Sequence, residues 1–312
     1  MIGTAWSLVQ HADPEGGHRP RLGLLLDGVV HAPPQELADL TVLEVLDAWA
    51  VHQGVLRALD LDAVRARPVV PGARLIAPIT YPRKVLCAGT NYYDHCEEMG
   101  TERPDPDAEP FFFLKAPTTT IVGPDALVPL PNRAKVALDW EAELGVVIGA
   151  RCQDVATSDA RAVVAGYLVA DDLSDRGAFP RDNPVMAPFA FDWLGHKSPD
   201  GSCPIGPGLV PAWLVDDPQD LSISLSVNAV TKQSSHTSQM VIGVDALIAG
   251  ASRLMTLEPG DVVLTGTPAG VGAPRGTFLR DGDVVTVSIE RLGSITHTIT
   301  ASGSTVGSQE QR

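Results

Sequence analysis

Hydrophobic and polar positions alternate most cleanly over Asp139-Trp140-Glu141-Ala142-Glu143-Leu144-Gly145-Val146-Val147-Ile148-Gly149. Trp140, Ala142, Leu144, Val146 and Ile148 are apolar, with Asp139, Glu141 and Glu143 between them. Side chains alternate across a strand, so the pattern predicts a β-strand with a core face and a carboxylate face. Shorter apolar runs at 84–89, 111–115, 163–170, 223–227, 262–264 and 284–289 predict further strands, and 294–300 closes the last of them as a hairpin. Residues 22–26 and 29–32 flank Asp27-Gly28, a hairpin turn signal. Helical spacing is confined to 43–50, 55–61, 241–254 and a short piece at 159–164. Scarce helical periodicity, 29 glycines and 26 prolines predict a loop-rich, mostly β chain with some α. Residues 1–75 read as a small N-terminal α+β unit ending in the Pro/Gly stretch 68–73, residues 76–302 as the main domain, and the Ser/Gly/Gln-rich residues 303–312 as a disordered tail.

Chemistry concentrates on three stretches. Glu141 and Glu143 are two apart on one strand, so their side chains point the same way, about 7 Å apart. Two such charges beside an apolar run repel unless a cation lies between them, and Mg²⁺, Mn²⁺ and Ca²⁺ prefer oxygen ligands. A solvated acidic face on an edge strand would show the same pattern. His95 and Glu98, three apart after a strand end, share one helical face, where a carboxylate orienting an imidazole makes a general base. A solvated turn with a casual ion pair is the plainer alternative. Asp172 ends an apolar run and has Arg176 nearby, either as a third ligand or as a helix cap. Lys197, in a tight-loop pattern at 195–201, reads as a carboxylate donor or a surface lysine. His11, His18, His31 and His52 stand isolated and read as structural or surface residues.

Composition narrows the partners. The chain has 312 residues, 44% hydrophobic and 20% charged, which suits a large core. A net charge of -15 argues against nucleic acid and anionic membranes, but not against a small anionic substrate at a site where a cation inverts the local potential. Cys87, Cys96, Cys152 and Cys203 form no Cys-X-X-Cys pair, so free thiols in a reduced, cytoplasmic setting are expected. The start shows no signal-peptide pattern, and no apolar run approaches the ~18 residues of a membrane span.

The ordered set of motifs resembles the fumarylacetoacetate hydrolase family, and within it the bacterial acylpyruvase and 2-hydroxyhepta-2,4-diene-1,7-dioate isomerase branch. The resemblance rests on Asn91-Tyr92 with Asp94-His95 and Glu98, Phe113-Leu114-Lys115, the 141–149 strand, Gly166-Tyr167 with Asp172 and Arg176, Gly195-His196-Lys197-Ser198, Gly206-Pro207, and Leu264-Thr265-Gly266-Thr267-Pro268-Ala269-Gly270-Val271-Gly272. It implies a rolled sandwich of mixed β-sheets behind a small N-terminal domain, and a homodimer. It implies Mg²⁺ or Mn²⁺ on Glu141, Glu143 and Asp172, a lid pair in His95 and Glu98, and a catalytic Lys197. It further implies substrate contacts at Arg176, Gly266 and Thr267. The sequence departs from the family pattern at Gly177 and Phe179, where an acidic residue and a glutamine are usual, so Phe179 points to a more apolar pocket. Ala229 stands where a turn glycine is usual.

The resemblance also implies a reaction. Family members mostly cleave a carbon–carbon bond in 2,4-dioxo acids of the acylpyruvate type, giving pyruvate and a carboxylic acid. In that scheme His95, held by Glu98, deprotonates water, while Lys197 and Arg176 orient the substrate carboxylate. The same scaffold supports decarboxylation of oxaloacetate, or isomerisation and tautomerisation of a 2-oxo acid, neither of which needs an activated water. A non-catalytic metal-binding protein would keep the carboxylates without needing the lid pair or Lys197.

Overall fold

The structure, a computed structural model, describes residues 5–12, 19–179 and 181–301. The tail predicted at 303–312, and His18, therefore lie outside the described residues. The 141–149 alternation builds the strand Ala142–Ile148, at the middle of the main sheet rather than at its edge. Val164–Asp171 pairs antiparallel on one side and Val262–Leu264 antiparallel on the other. Val85–Gly89 and then Phe111–Lys115 extend the sheet beyond Val262–Leu264. Beyond Val164–Asp171 come Cys203–Pro211, Ser7–His11, Arg21–Leu26 and Val29–His31. Strands from the first 31 residues thus continue the sheet that carries the acidic strand. The 27–28 hairpin turn forms as expected, with positive φ at Asp27 and Gly28.

A second sheet runs Val230–His236, Ser222–Val227, Val284–Ile289, Gly293–Thr300 and Leu127–Pro129. It packs over one face of the first. Trp140, Ala142, Leu144, Val146 and Ile148 enter this inter-sheet core with Leu225, Val287 and Ile295. Val147, on the opposite face, joins a second core with Leu168, Leu264, Leu8, Trp49 and Leu56, so the helices near the N-terminus cover that side. Both faces of the acidic strand are therefore buried. The solvated-edge alternative fails because the strand has neighbours on both flanks and packed layers on both faces.

Candidate metal and oxo-acid site

Strand pairing assembles the carboxylates. The register Ala142↔Asp171 sets Asp172 beside Glu141, and the two residues are tied by Asp172 N–H donating to the Glu141 carbonyl at 2.9 Å. Asp171 Oδ1 accepts from Glu141 N–H at 2.8 Å, so the aspartate next to the third carboxylate fixes the backbone of the first. His297, from the second sheet, places Nε2 3.2 Å from Asp171 Oδ2, with both side chains fully buried. Glu141, Glu143 and Asp172 then bring one oxygen each to within 4.8 Å of one another. Asp172 is part of this cluster and caps no helix.

Basic groups surround two of the three. Lys197 Nζ donates to Glu141 Oε2 at 2.8 Å and Asp172 Oδ2 at 2.7 Å. Lys115 Nζ lies 2.7 Å from Asp172 Oδ1 and donates to the Leu173 carbonyl at 3.0 Å. Arg176 donates to Glu141 Oε1 at 2.6 Å and to Asp139 Oδ2 at 3.1 Å, and Ser174 Oγ also donates to Glu141 Oε1. Burial would raise the Glu141 carboxyl, but Lys197 and Arg176 outweigh it and hold the pKa well below the usual carboxylate range. Burial would lower the Lys197 ammonium, but Asp172 and Glu141 outweigh it and keep the amine charged.

Glu143 differs. Among the described residues its one hydrogen-bond donor is Gly266 N–H, at 2.7 Å. Burial, then the neighbouring Asp172 and Glu141, push its carboxyl well above the usual range. A buried carboxylate short of positive charge, facing two others, fits a divalent cation. Gly266 earns its place by shape. Its φ is +93°, and a Cβ there would lie 2.8 Å from the Asn91 Cβ. Asn91 is itself fixed by donating to the Ile242 and Thr265 carbonyls.

The opposite wall carries the imidazole. Tyr93–Glu98 forms one short helix, and His95 Nδ1 sits 3.2 Å from Glu98 Oε2. Glu98 also accepts from Gly270 N–H and pairs with Arg275. Burial would raise the Glu98 carboxyl, but Arg275, Gly270 N–H and His95 outweigh it and lower its pKa. The pair is therefore built into the glycine-rich turn, unlike a casual surface contact. Thr267 Oγ1 accepts from Gln233 Nε2, whose oxygen accepts from Ala142 N–H. His95, Glu141, Glu143, Arg176, Lys197, Thr267 and Phe179 all line one cleft of about 220 Å³.

Several expectations change. The first residues of the predicted 195–201 loop instead belong to a helical turn, Trp193–Lys197, started by Asp192 Oδ1 accepting from Gly195 N–H. That turn aims His196 and Lys197 inward together. Lys197 is a buried partner of two carboxylates and no surface lysine. Arg176 also meets carboxylates of the protein itself. In the Phe111–Lys115 strand, predicted from an apolar run, Phe111 is 53% exposed while Lys115, the charged residue at its end, is 1% exposed. His11, His31 and His52 bond backbone carbonyls, as structural histidines do.

Sequence reasoning assigned no role to Lys115, Asp139, Asp171, His196, Gln233, Arg275 or His297. Asp139 accepts from Gly272 and Ala273 N–H as well as Arg176, tying the strand to the glycine-rich turn. His196 accepts at Nε2 from Arg176 and donates from Nδ1 to the Asp175 carbonyl. Burial, then Lys197 and Arg176, push its pKa down to about 4, so it is neutral at pH 7. Lys115 carried two signals, a charge ending an apolar run and a place in the Phe113-Leu114-Lys115 motif, but neither gave it a role.

Three comparisons agree with this geometry. Residues 84–300 match the family described as fumarylacetoacetate (FAA) hydrolase C-terminal. The chain is 44% identical over 232 residues to "Oxaloacetate tautomerase FAHD2B, mitochondrial" from Homo sapiens, spanning 73% of this chain and 70% of that one. The fold is similar to a fumarylacetoacetate hydrolase from Exiguobacterium antarcticum (TM-score 0.78, 33% identity, 95% of this chain and 99% of that one). It is also similar to maleylpyruvate hydrolase from Sphingobium sp. SYK-6 in complex with manganese(II) and pyruvate (TM-score 0.72, 28% identity, 95% and 99%). With most of the chain matched and the carboxylate cluster assembled, the protein belongs to the fumarylacetoacetate hydrolase family.

Proposed function

We propose that this chain is a divalent-metal-dependent enzyme of enolisable 2-oxo acids, and that its reaction is a keto–enol tautomerisation. One observation carries the reading. A cleft of about 220 Å³ is lined both by Glu141 and Glu143 of the buried three-carboxylate cluster and by His95, whose ring Glu98 holds. Glu141, Glu143 and Asp172 would hold Mg²⁺ or Mn²⁺, which supplies Lewis-acid stabilisation of negative charge on substrate oxygens. His95 keeps one ring nitrogen on Glu98 and has the other for moving a proton to or from carbon 3 of the substrate. Lys197 and Arg176 bring positive charge to the carboxylate end. The walls limit water around the exchanging proton. One proton leaves carbon and one reaches oxygen, so nothing else is consumed. The human relative's name points to the same chemistry.

Carbon–carbon hydrolysis is the second reading, favoured by the maleylpyruvate hydrolase likeness. His95 would then deprotonate water for attack on the distal carbonyl. Two NMR experiments in D₂O separate them, one with oxaloacetate and one with a short acylpyruvate, each with Mg²⁺, EDTA and metal-without-protein controls. EDTA-sensitive acceleration of enol–keto conversion and of deuterium entry at carbon 3 is expected. Release of pyruvate plus a carboxylic acid from the acylpyruvate, without faster oxaloacetate enolisation, would replace tautomerisation by hydrolysis. EDTA-sensitive pyruvate from oxaloacetate would move the reading to decarboxylation.

A further inference from the structure

The lining of the cleft combines two chemically different sets of side chains. Glu141, Glu143, Arg176 and Lys197 are charged, whereas Phe113, Phe179, Trp193, Met99 and Val271 are apolar. The two sets meet where Lys197 Nζ lies 4.9 Å from the centroid of the Phe113 ring. The chain has only seven Phe and five Trp, yet Phe111, Phe113, Phe179, Phe191 and Trp193 form one cluster, of which Phe113, Phe179 and Trp193 line the cleft. Phe113 and Trp193 stack with centroids 4.9 Å apart at 22°, and Phe179 meets Trp193 edge-on at 4.8 Å. Phe179 also lies 4.5 Å from the His196 ring. Trp193, His196 and Lys197 share one turn of helix, so a single element carries aromatic and charged lining together.

We infer that this cleft takes a 2-oxo acid whose distal group is a flat, uncharged ring, held against Trp193, Phe179 and Phe113. The inference rests on the 2-oxo acid reading above and adds the substrate class. A ring set offset or edge-on to these aromatics gains contacts that a methyl group does not. A distal carboxylate would meet apolar faces instead. Arg176 and Lys197 are already engaged with Asp139, Glu141 and Asp172, so the cleft offers a second substrate carboxylate no uncommitted cation among its lining residues. Trp193 and Phe179 are thus specificity-determining residues.

The test uses Mg²⁺-loaded full-length protein with phenylpyruvate, pyruvate and oxaloacetate. Calorimetric binding and enol–keto kinetics are measured for wild type, Trp193→Ala, Trp193→Leu and Phe179→Gln, with circular dichroism to confirm folding. Phenylpyruvate should bind about tenfold or more tightly than pyruvate, and the phenylpyruvate-to-oxaloacetate ratio of kcat/KM should fall about tenfold in Trp193→Ala, chiefly through KM. Trp193→Leu and Phe179→Gln, which keep bulk at the wall, should lower the ratio less. Equal binding of phenylpyruvate and pyruvate, or a ratio unmoved by all three variants, overturns the inference even if oxaloacetate is turned over. Tighter phenylpyruvate binding without turnover of any oxo acid keeps the aromatic subsite and removes the tautomerase reading. No binding and no turnover removes both.

Discussion

The two walls of the cleft are held in different ways. The carboxylate wall is part of the sheet interior. Glu141 and Asp172 adjoin the ends of two paired strands, their oxygens are bonded to Lys197, Lys115, Arg176 and Ser174, and layers cover both faces. The imidazole wall is a single short helix, pinned where Glu98 meets Gly270 N–H and the half-exposed Arg275, and where Asp94 accepts from Ser235 Oγ and Ala269 N–H. Carboxylates fixed in the sheet interior suit a bound cation, because their backbone positions are already set when it arrives. A short helix tied by side chains to a glycine-rich turn, and not built into a sheet, suits a group that must admit substrate and then approach it. The difference predicts that damage to the first wall costs metal and fold, and damage to the second costs proton transfer.

The largest effect should come from the sheet. Glu143→Ala should abolish metal binding and activity together, by more than the roughly 10–100-fold typical of supporting residues. Calorimetry with Mn²⁺ reads it, and retained tight binding would remove Glu143 from the ligand set. Lys197→Met leaves Glu141 and Asp172 buried with less compensation and should cost about 3–5 kcal/mol of stability by denaturant titration. Unchanged stability would mean that water or backbone takes over the charge.

His95→Ala sharpens the contrast from the other side. It should keep Mn²⁺ affinity and lower kcat by about 10²–10⁴-fold. Loss of metal binding would place His95 with the first wall. Behind the sheet, Asp171→Ala strips the acceptor from the buried Glu141 N–H and should cost about 1–3 kcal/mol with weakened Mn²⁺ binding. An unchanged metal affinity would show that strand pairing alone positions Glu141.

The smallest effect should be at Arg275. Its side chain is 57% exposed, so Arg275→Ala should change stability by no more than about 1 kcal/mol. The pH dependence is more telling. The folded Glu98 carboxyl lies below its ordinary 4.5, so its anchoring contribution is complete above that pH and is lost as pH falls through the lowered value. Removing Arg275 should raise that acid limit, read as the acid limb of kcat against pH. An unmoved limb would leave Gly270 N–H and His95 as the effective anchors.

Much of the carboxylate wall was legible in the chain. Alternation over 139–144, running on into an apolar stretch, announces a strand, and two glutamates on one face announce a charge problem that something must solve. The hairpin at Asp27-Gly28 is equally local, since its turn residues adopt positive φ whatever surrounds them. The pairing of His95 with Glu98 follows from spacing once a helix forms. Other features were misread for physical reasons. Period-two alternation looks the same for an edge strand and for one buried on both faces. An apolar run with a terminal lysine looks anchored in the core, whereas in Phe111–Lys115 the lysine is the buried member. Residues 193–197 are too few and too near prolines to register as a helix.

What the sequence determined by itself was therefore local: the strand, its carboxylate face, the turn glycines and the imidazole–carboxylate spacing. Each follows from backbone geometry over a few residues. Only the tertiary structure decided that Asp172 stands beside Glu141, that Lys115 and Lys197 neutralise Asp172, that Asp171 and His297 back the site, and that Phe113, Phe179 and Trp193 line the cleft together. Those arrangements join residues far apart in the chain. They depend on strand order, register and the desolvation of charges, which no local periodicity encodes.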